Sequence, residues 1–201
     1  YRDNLRLWDS ATGRHLRSFS GDQDGVHTAT FSPDGGFLVI AGHDATVQLW
    51  DAQTARPLRT LVGHKAAVTS AAFNPDGTRI ITSSWDDTAR LWDSGTGTLL
   101  HTMHNPQQFR SSVRFSSDGA RVITASDATE VRLWDSRTGL LIRSLGVRQG
   151  RGSPAFSRDG NRILIVDRND QTAQLWDGKT GGRIADLRVD NDDIGAAVFS
   201  P

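Results

Sequence analysis

The chain has 201 residues, 36% hydrophobic and 23% charged, with a net charge of zero. That length suits one sizeable domain or a short repeat array, and the absent basic surplus argues against a nucleic-acid partner. There is no cysteine, which excludes disulfide and thiolate chemistry and fits a reducing, cytoplasmic setting; nor does any apolar run approach the roughly 18 residues of a membrane-spanning helix.

In chain order, residues 1–20 supply two short segments, separated after Trp8 by the polar turn DSATGR. Residues 21–62 supply four, punctuated by FSPDG at 31–35 and by DAQTAR after Trp50. Residues 63–103 repeat that order as AAVTSAAF, the turn NPDG, TRIITS, the turn SWDD, TARLW, the turn DSGTG and TLLHTM. Residues 104–145 carry FSSDG at 115–119, EVRLW and DSRTGL. Residues 146–188 carry FSRDG at 156–160, one position early, and an extra residue before Trp176 restores the phase. Residues 189–201 end in FSP, the start of a further copy.

The period is 42 residues: Trp8, Trp50, Trp92, Trp134 and Trp176 each follow leucine and precede aspartate at that step. The segments are short, apolar or β-branched, and bounded by Asp, Gly, Asn and Pro, which predicts strands joined by tight turns. TVQLW, TARLW and EVRLW alternate in polarity as strands do, and no ten-residue stretch has helical spacing. Each period therefore reads as a four-stranded antiparallel sheet. Such a sheet cannot bury both faces alone, so neighbours must stack.

The period, the five Leu-Trp-Asp strand ends and the Phe-x-x-Asp-Gly turns resemble the WD40-repeat β-propellers along the whole chain. The resemblance implies an all-β fold, a propeller or open arc of four complete blades (21–62, 63–103, 104–145 and 146–188). Partial blades flank them at 1–20 and 189–201. The chain reads as a fragment of a longer array, with a five-bladed ring or closure by oligomerisation as alternatives. Open strand edges allow self-association.

The resemblance also implies a buried hydrogen-bonded tetrad, complete in one repeat only: His64, Thr82, Asp86 and Trp92. The repeat of Trp50 keeps Asp44 but has Asp22 and Ile40 at the His and hydroxyl positions. That of Trp134 keeps Thr124 but has Pro106 and Ala128. That of Trp176 keeps Asp170 and lacks the His. These repeats are expected to be softer. A His, an Asp and a hydroxyl invite a catalytic-triad reading, but the resemblance places them inside the sheet stack, so no enzyme and no cofactor is expected. GKT at 178–180 lacks the earlier Gly of a phosphate loop and a following helix. DNDD at 190–193 lacks the Gly and Glu of a calcium loop. The histidines of HTMH at 101–104 fall on opposite strand faces, so no metal site is expected.

One end of the array is the expected binding face. The residues before the tetrad Asp are His43, Trp85, Asp127 and Asn169, and the starts of the first strands add Gly25 and His27, Ala67 and Thr69, and Phe109 and Ser111. Arg148 and Arg151 flank the irregular VRQGRGS, and Asp193 belongs to the last segment. Trp85 and Phe109 are the large aromatics of this set. Trp85 reads either as a partner contact or as a cover over the tetrad, and Phe109 as a loop anchor or a contact. The expected function is a non-catalytic scaffold for a protein or peptide partner within a larger regulatory protein. The alternatives are nucleic-acid binding through local arginines and a structural array with no specific partner.

Overall fold

The computed structural model describes residues 4–20, 25–104, 111–126, 130–148, 154–167, 172–188 and 197–200. Among them there are strands and turns and no α-helix. Sheet 1 pairs β1 (Asn4–Trp8) with β2 (His15–Ser20). Sheet 2 holds β3 (Val26–Phe31), β4 (Phe37–Gly42), β5 (Val47–Asp51) and β6 (Arg56–Leu61). Sheet 3 holds β7 (Val68–Phe73), β8 (Arg79–Ser84), β9 (Thr88–Asp93) and β10 (Leu99–His104). Sheet 4 holds β11 (Ser111–Phe115), β12 (Arg121–Ser126), β13 (Glu130–Asp135) and β14 (Leu141–Arg148). Sheet 5 holds β15 (Ala155–Phe156), β16 (Arg162–Asp167), β17 (Thr172–Asp177) and β18 (Arg183–Arg188). In every sheet the strands pair antiparallel in chain order.

The turns explain why the strands stop where they do. Ser32 Oγ donates to Asp34 Oδ1 at 2.6 Å and accepts the Phe37 N–H at 2.8 Å, which closes the first turn of sheet 2. Ser116 with Asp118, and Ser157 with Asp159, repeat the device. After each repeat Trp, an aspartate caps its own turn: Asp93 Oδ1 accepts the Thr96 N–H at 2.7 Å and its hydroxyl at 2.8 Å. The residue that ends this turn is left-handed. It is Gly13, Gly97, Gly139 and Gly181 in four copies, but Ala55 (φ 53°) in sheet 2.

The core lies between the sheets. Phe19, Leu61, Met103 and Leu145 recur at the 42-residue step on the fourth strands, and all are buried. Each clusters with the repeat Trp of the sheet that follows: Phe19 with Trp50, Leu61 with Trp92, Met103 with Trp134, and Leu145 with Trp176. Phe19 and Trp50 meet edge to face at 5.9 Å, the arrangement aromatic pairs favour. Burying one such indole stabilises the stack by roughly 2–3 kcal/mol. Trp8 is 51% exposed, and Leu187, the next position in the fourth-strand series, is 47% exposed.

Two strand boundaries differ from the expected division. β14 runs to Arg148, paired with Glu130, beyond the expected limit of 145, and its ladder is irregular between Glu130 and Arg132. Residues 197–200, from the segment 189–201 expected to begin a further sheet, form no strand, and 189–196 lie outside the described residues. Since successive turns of an antiparallel sheet alternate ends, the second turn of each sheet shares one end of the array with the start of its first strand.

Candidate functional site

Sheet 3 encloses a hydrogen-bonded relay. Burial pushes the His64 imidazole pKa down despite the pull of Asp86, so the ring is neutral at pH 7. Burial opposes ionisation of Asp86, but hydrogen bonds from Thr88, the Lys65 N–H and His64 outweigh it and hold the carboxyl down at about 2. The carboxylate accepts, so the His64 proton sits on Nδ1 and points to Asp86 Oδ2 at 2.9 Å. His64 Nε2 is then the acceptor for the Thr82 hydroxyl at 2.7 Å, and Thr82 Oγ1 accepts the Trp92 indole N–H at 2.9 Å. The relay runs in one direction, from Trp92 through Thr82 and His64 to Asp86. Thr82 is wholly buried, so its hydroxyl lies out of a substrate's reach and the constellation ties strands together.

The other sheets keep parts of it. The Trp134 N–H donates to Thr124 Oγ1 at 2.9 Å, and the Trp50 N–H reaches Gln48 on its own strand at 3.1 Å. In sheet 5, Ile165 holds the place of Thr82, and the buried Trp176 Nε1 has no hydrogen-bond partner among the described residues.

At the end of the array described above, three aromatic side chains meet across the junction of sheets 2 and 3. The β3–β4 register slips between Val26 and Thr28, which makes His27 the extra residue of a β-bulge. Bulges re-aim side chains, and His27 Nδ1 lies 3.2 Å from the Val68 carbonyl of β7 in the next sheet. A carbonyl only accepts, so His27 carries a proton on Nδ1. His43 Nε2 lies 2.8 Å from His27 Nε2, and in the tautomer with a single His27 proton it is His43 that donates. His43 is held in turn by its backbone N–H to the Gly25 carbonyl at 3.3 Å, and a side chain at position 25 would approach its ring at 3.5 Å. Trp85 follows β8, anchored by its N–H to the Ala67 carbonyl at 3.0 Å. Its ring sits 5.7 Å from His27 and 5.9 Å from His43, and it remains 47% exposed.

The structure thus brings together Trp85, His27 and His43, expected as three separate positions on one face. Thr69, the counterpart of His27 in sheet 3, turns to its own sheet and meets Ser83 at 3.2 Å. Arg148 ends the ladder of β14. Phe109, Asp127, Asn169, Arg151 and Asp193 lie outside the described residues, as do Asp22, Pro106, Ala128 and Asp170. At the opposite end, Pro33, Phe73, Phe115 and Phe156 with Arg114 and Arg158 line a recess of about 480 Å³, which the sequence reading did not single out. Its signal was the phenylalanine that opens each Phe-x-x-Asp-Gly turn.

No curated protein matches the chain. The crystal structure of the computationally designed Ika8 protein is similar at 27% identity with a TM-score of 0.81. The match covers all of this chain but 60% of that one, so this chain spans less than two thirds of its length. In all, 1657 chains of solved structures match, so the fold is widely shared and does not name a partner. The model of the WD domain, G-beta repeat family matches residues 13–51, 55–93 and 97–135. Each match ends on the aspartate that follows a repeat Trp, at Asp51, Asp93 and Asp135. WD40 repeats generally act as non-catalytic scaffolds for protein–protein interaction. With these matches over more than half its length, and with four-stranded sheets stacked at the same step, the chain belongs to the WD40 family.

Proposed function

We propose that the chain is a protein-interaction scaffold whose contact surface centres on Trp85, flanked by His27 and His43, and that its ligand is a peptide segment of a partner protein. The observation that carries this reading is the half-exposed indole of Trp85 held against the two imidazoles across a sheet junction. An aromatic side chain braced from behind loses little freedom on binding, which is what makes tryptophan a frequent anchor. The repeat itself does not call for a tryptophan there, since the equivalent positions are His43, Asp127 and Asn169.

The test is selection of peptides against the full chain from a random display library, followed by affinity measurement with Trp85→Ala and Trp85→Phe. Loss of roughly tenfold or more in affinity with Trp85→Ala, partial recovery with Trp85→Phe and a cooperative melt lowered by no more than about 4 °C support the reading. Ligands indifferent to Trp85→Ala, or a variant that fails to fold, overturn it.

A further inference from the structure

We propose that His27 and His43 form a two-imidazole site for a divalent transition-metal ion of the Cu(II) or Ni(II) type. This goes beyond the scaffold reading and stands whether or not a peptide docks on Trp85.

Three observations converge on it. First, the ring centroids lie 4.1 Å apart whereas the Nε2 atoms are separated by 2.8 Å. The nitrogen ends therefore lie closer together than the ring centres, joined by a hydrogen bond whose proton a metal would replace. Second, His27 is oriented by a hydrogen bond from Nδ1 to the Val68 carbonyl. Metal-ligating histidines are typically fixed in this way, through the other ring nitrogen, so that the lone pair is aimed and the tautomer set. Third, both rings are exposed, which leaves room for water or a ligand's donor to complete the coordination.

The separation also bears on the geometry. Two nitrogens at about 2.05 Å from a metal stand roughly 2.9 Å apart at a right angle, and roughly 3.3 Å apart at a tetrahedral angle. The hydrogen-bonded separation of 2.8 Å needs less opening to reach the right angle of adjacent ligands in a square-planar or tetragonal site. That geometry belongs to Cu(II) and Ni(II), whereas Zn(II) favours the tetrahedron. The rearrangement needed is small. His43 moves its proton from Nε2 to Nδ1, the ring stays neutral, and the metal replaces that proton between the two nitrogens.

Trp85 supplies a local reporter. Its ring lies within 6 Å of both imidazoles, at 5.7 and 5.9 Å, so a paramagnetic ion held between Nε2 atoms quenches its emission. Cu(II) chloride is titrated into the full chain with its N-terminal amine acetylated, and binding is read by calorimetry and by tryptophan fluorescence. The expected result is one equivalent bound with quenching. His27→Gln and His43→Gln each weaken it by roughly tenfold or more and lower the melting temperature by no more than about 4 °C. Trp85→Phe retains the calorimetric binding and loses the quench. Undiminished binding in the His27→Gln/His43→Gln double variant overturns the proposal, and so does a copper spectrum lacking imidazole nitrogens. Because no peptide enters these measurements, their failure leaves the scaffold reading to its own test.

Discussion

His43 and Trp85 occupy the same position of successive repeats, 42 residues apart, and their rings meet edge-on at 5.9 Å. Equivalent positions on neighbouring sheets thus touch at the tips of their second turns. Trp85→Ala removes two half-solvated ring contacts and nothing from the core. It is expected to cost about 1 kcal/mol, read from the midpoint of urea denaturation, while Trp92→Ala costs roughly 3–5 kcal/mol.

Thr82 and Thr124 separate the relay from a simple cap. Thr82→Val strands both His64 Nε2 and the Trp92 N–H, whereas Thr124→Val strands the Trp134 N–H. Each buried orphan costs about 1–3 kcal/mol. Thr82→Val should therefore destabilise about twice as much as Thr124→Val, measured by thermal melts of the two variants side by side.

Sheet 5 offers the converse. Ile165→Thr places a hydroxyl where Thr82 and Thr124 have theirs and gives the Trp176 N–H an acceptor. The gain of about 1–3 kcal/mol exceeds the roughly 1 kcal/mol of apolar burial forgone. The variant should melt at or above the parent temperature, and hydrogen exchange at the Trp176 indole should slow.

Acid should loosen sheet 3 in two stages. His64 has a lowered pKa, so the unfolded chain binds more protons and stability falls as pH drops below about 6.5. Asp86 sits at about 2 against an ordinary 3.8. Its contribution, about 2 kcal/mol, is present above that ordinary value and is lost as pH falls through the folded one. Asp86→Asn should be less stable at pH 7 and show a flatter stability profile between pH 4 and pH 2. Denaturation midpoints across pH supply the check.

Ala55 is the left-handed residue where four other repeats have glycine. An L side chain there is disfavoured by about 1–2 kcal/mol, partly offset by glycine's greater freedom when unfolded. Ala55→Gly should raise stability by roughly 0.5–1 kcal/mol, measured by urea titration.

The repeat register was legible because each part of it answers a local demand: Asp51 and Asp93 cap turns, Ser32 closes one, Trp92 fills a gap between sheets. The partners of His64 were legible only through the family resemblance, which implies Thr82 and Asp86 beside it; the demand of a buried imidazole for two partners accounts for the arrangement but would not have located them. The meeting of His27 with His43 was not legible. It depends on a bulge that the β-pattern does not reveal and on the carbonyl of Val68 in another repeat. The extension of β14 to Arg148 escaped for a like cause, an irregular ladder step that no residue type announces.

The insertion of each repeat Trp behind the fourth strand of the sheet before it gives the array a direction. Every sheet carries a plug on one side and a seat on the other, so the two sides of a junction are not interchangeable. Removing sheet 2 would bare the indole of Trp92, as Trp8 is bare. Removing sheet 5 would bare aliphatic side chains of sheet 4, Leu145 with Ile123, Ala125, Val131 and Leu133. Shortening the array from its front should therefore bare an indole, whereas shortening it from its back bares an aliphatic surface.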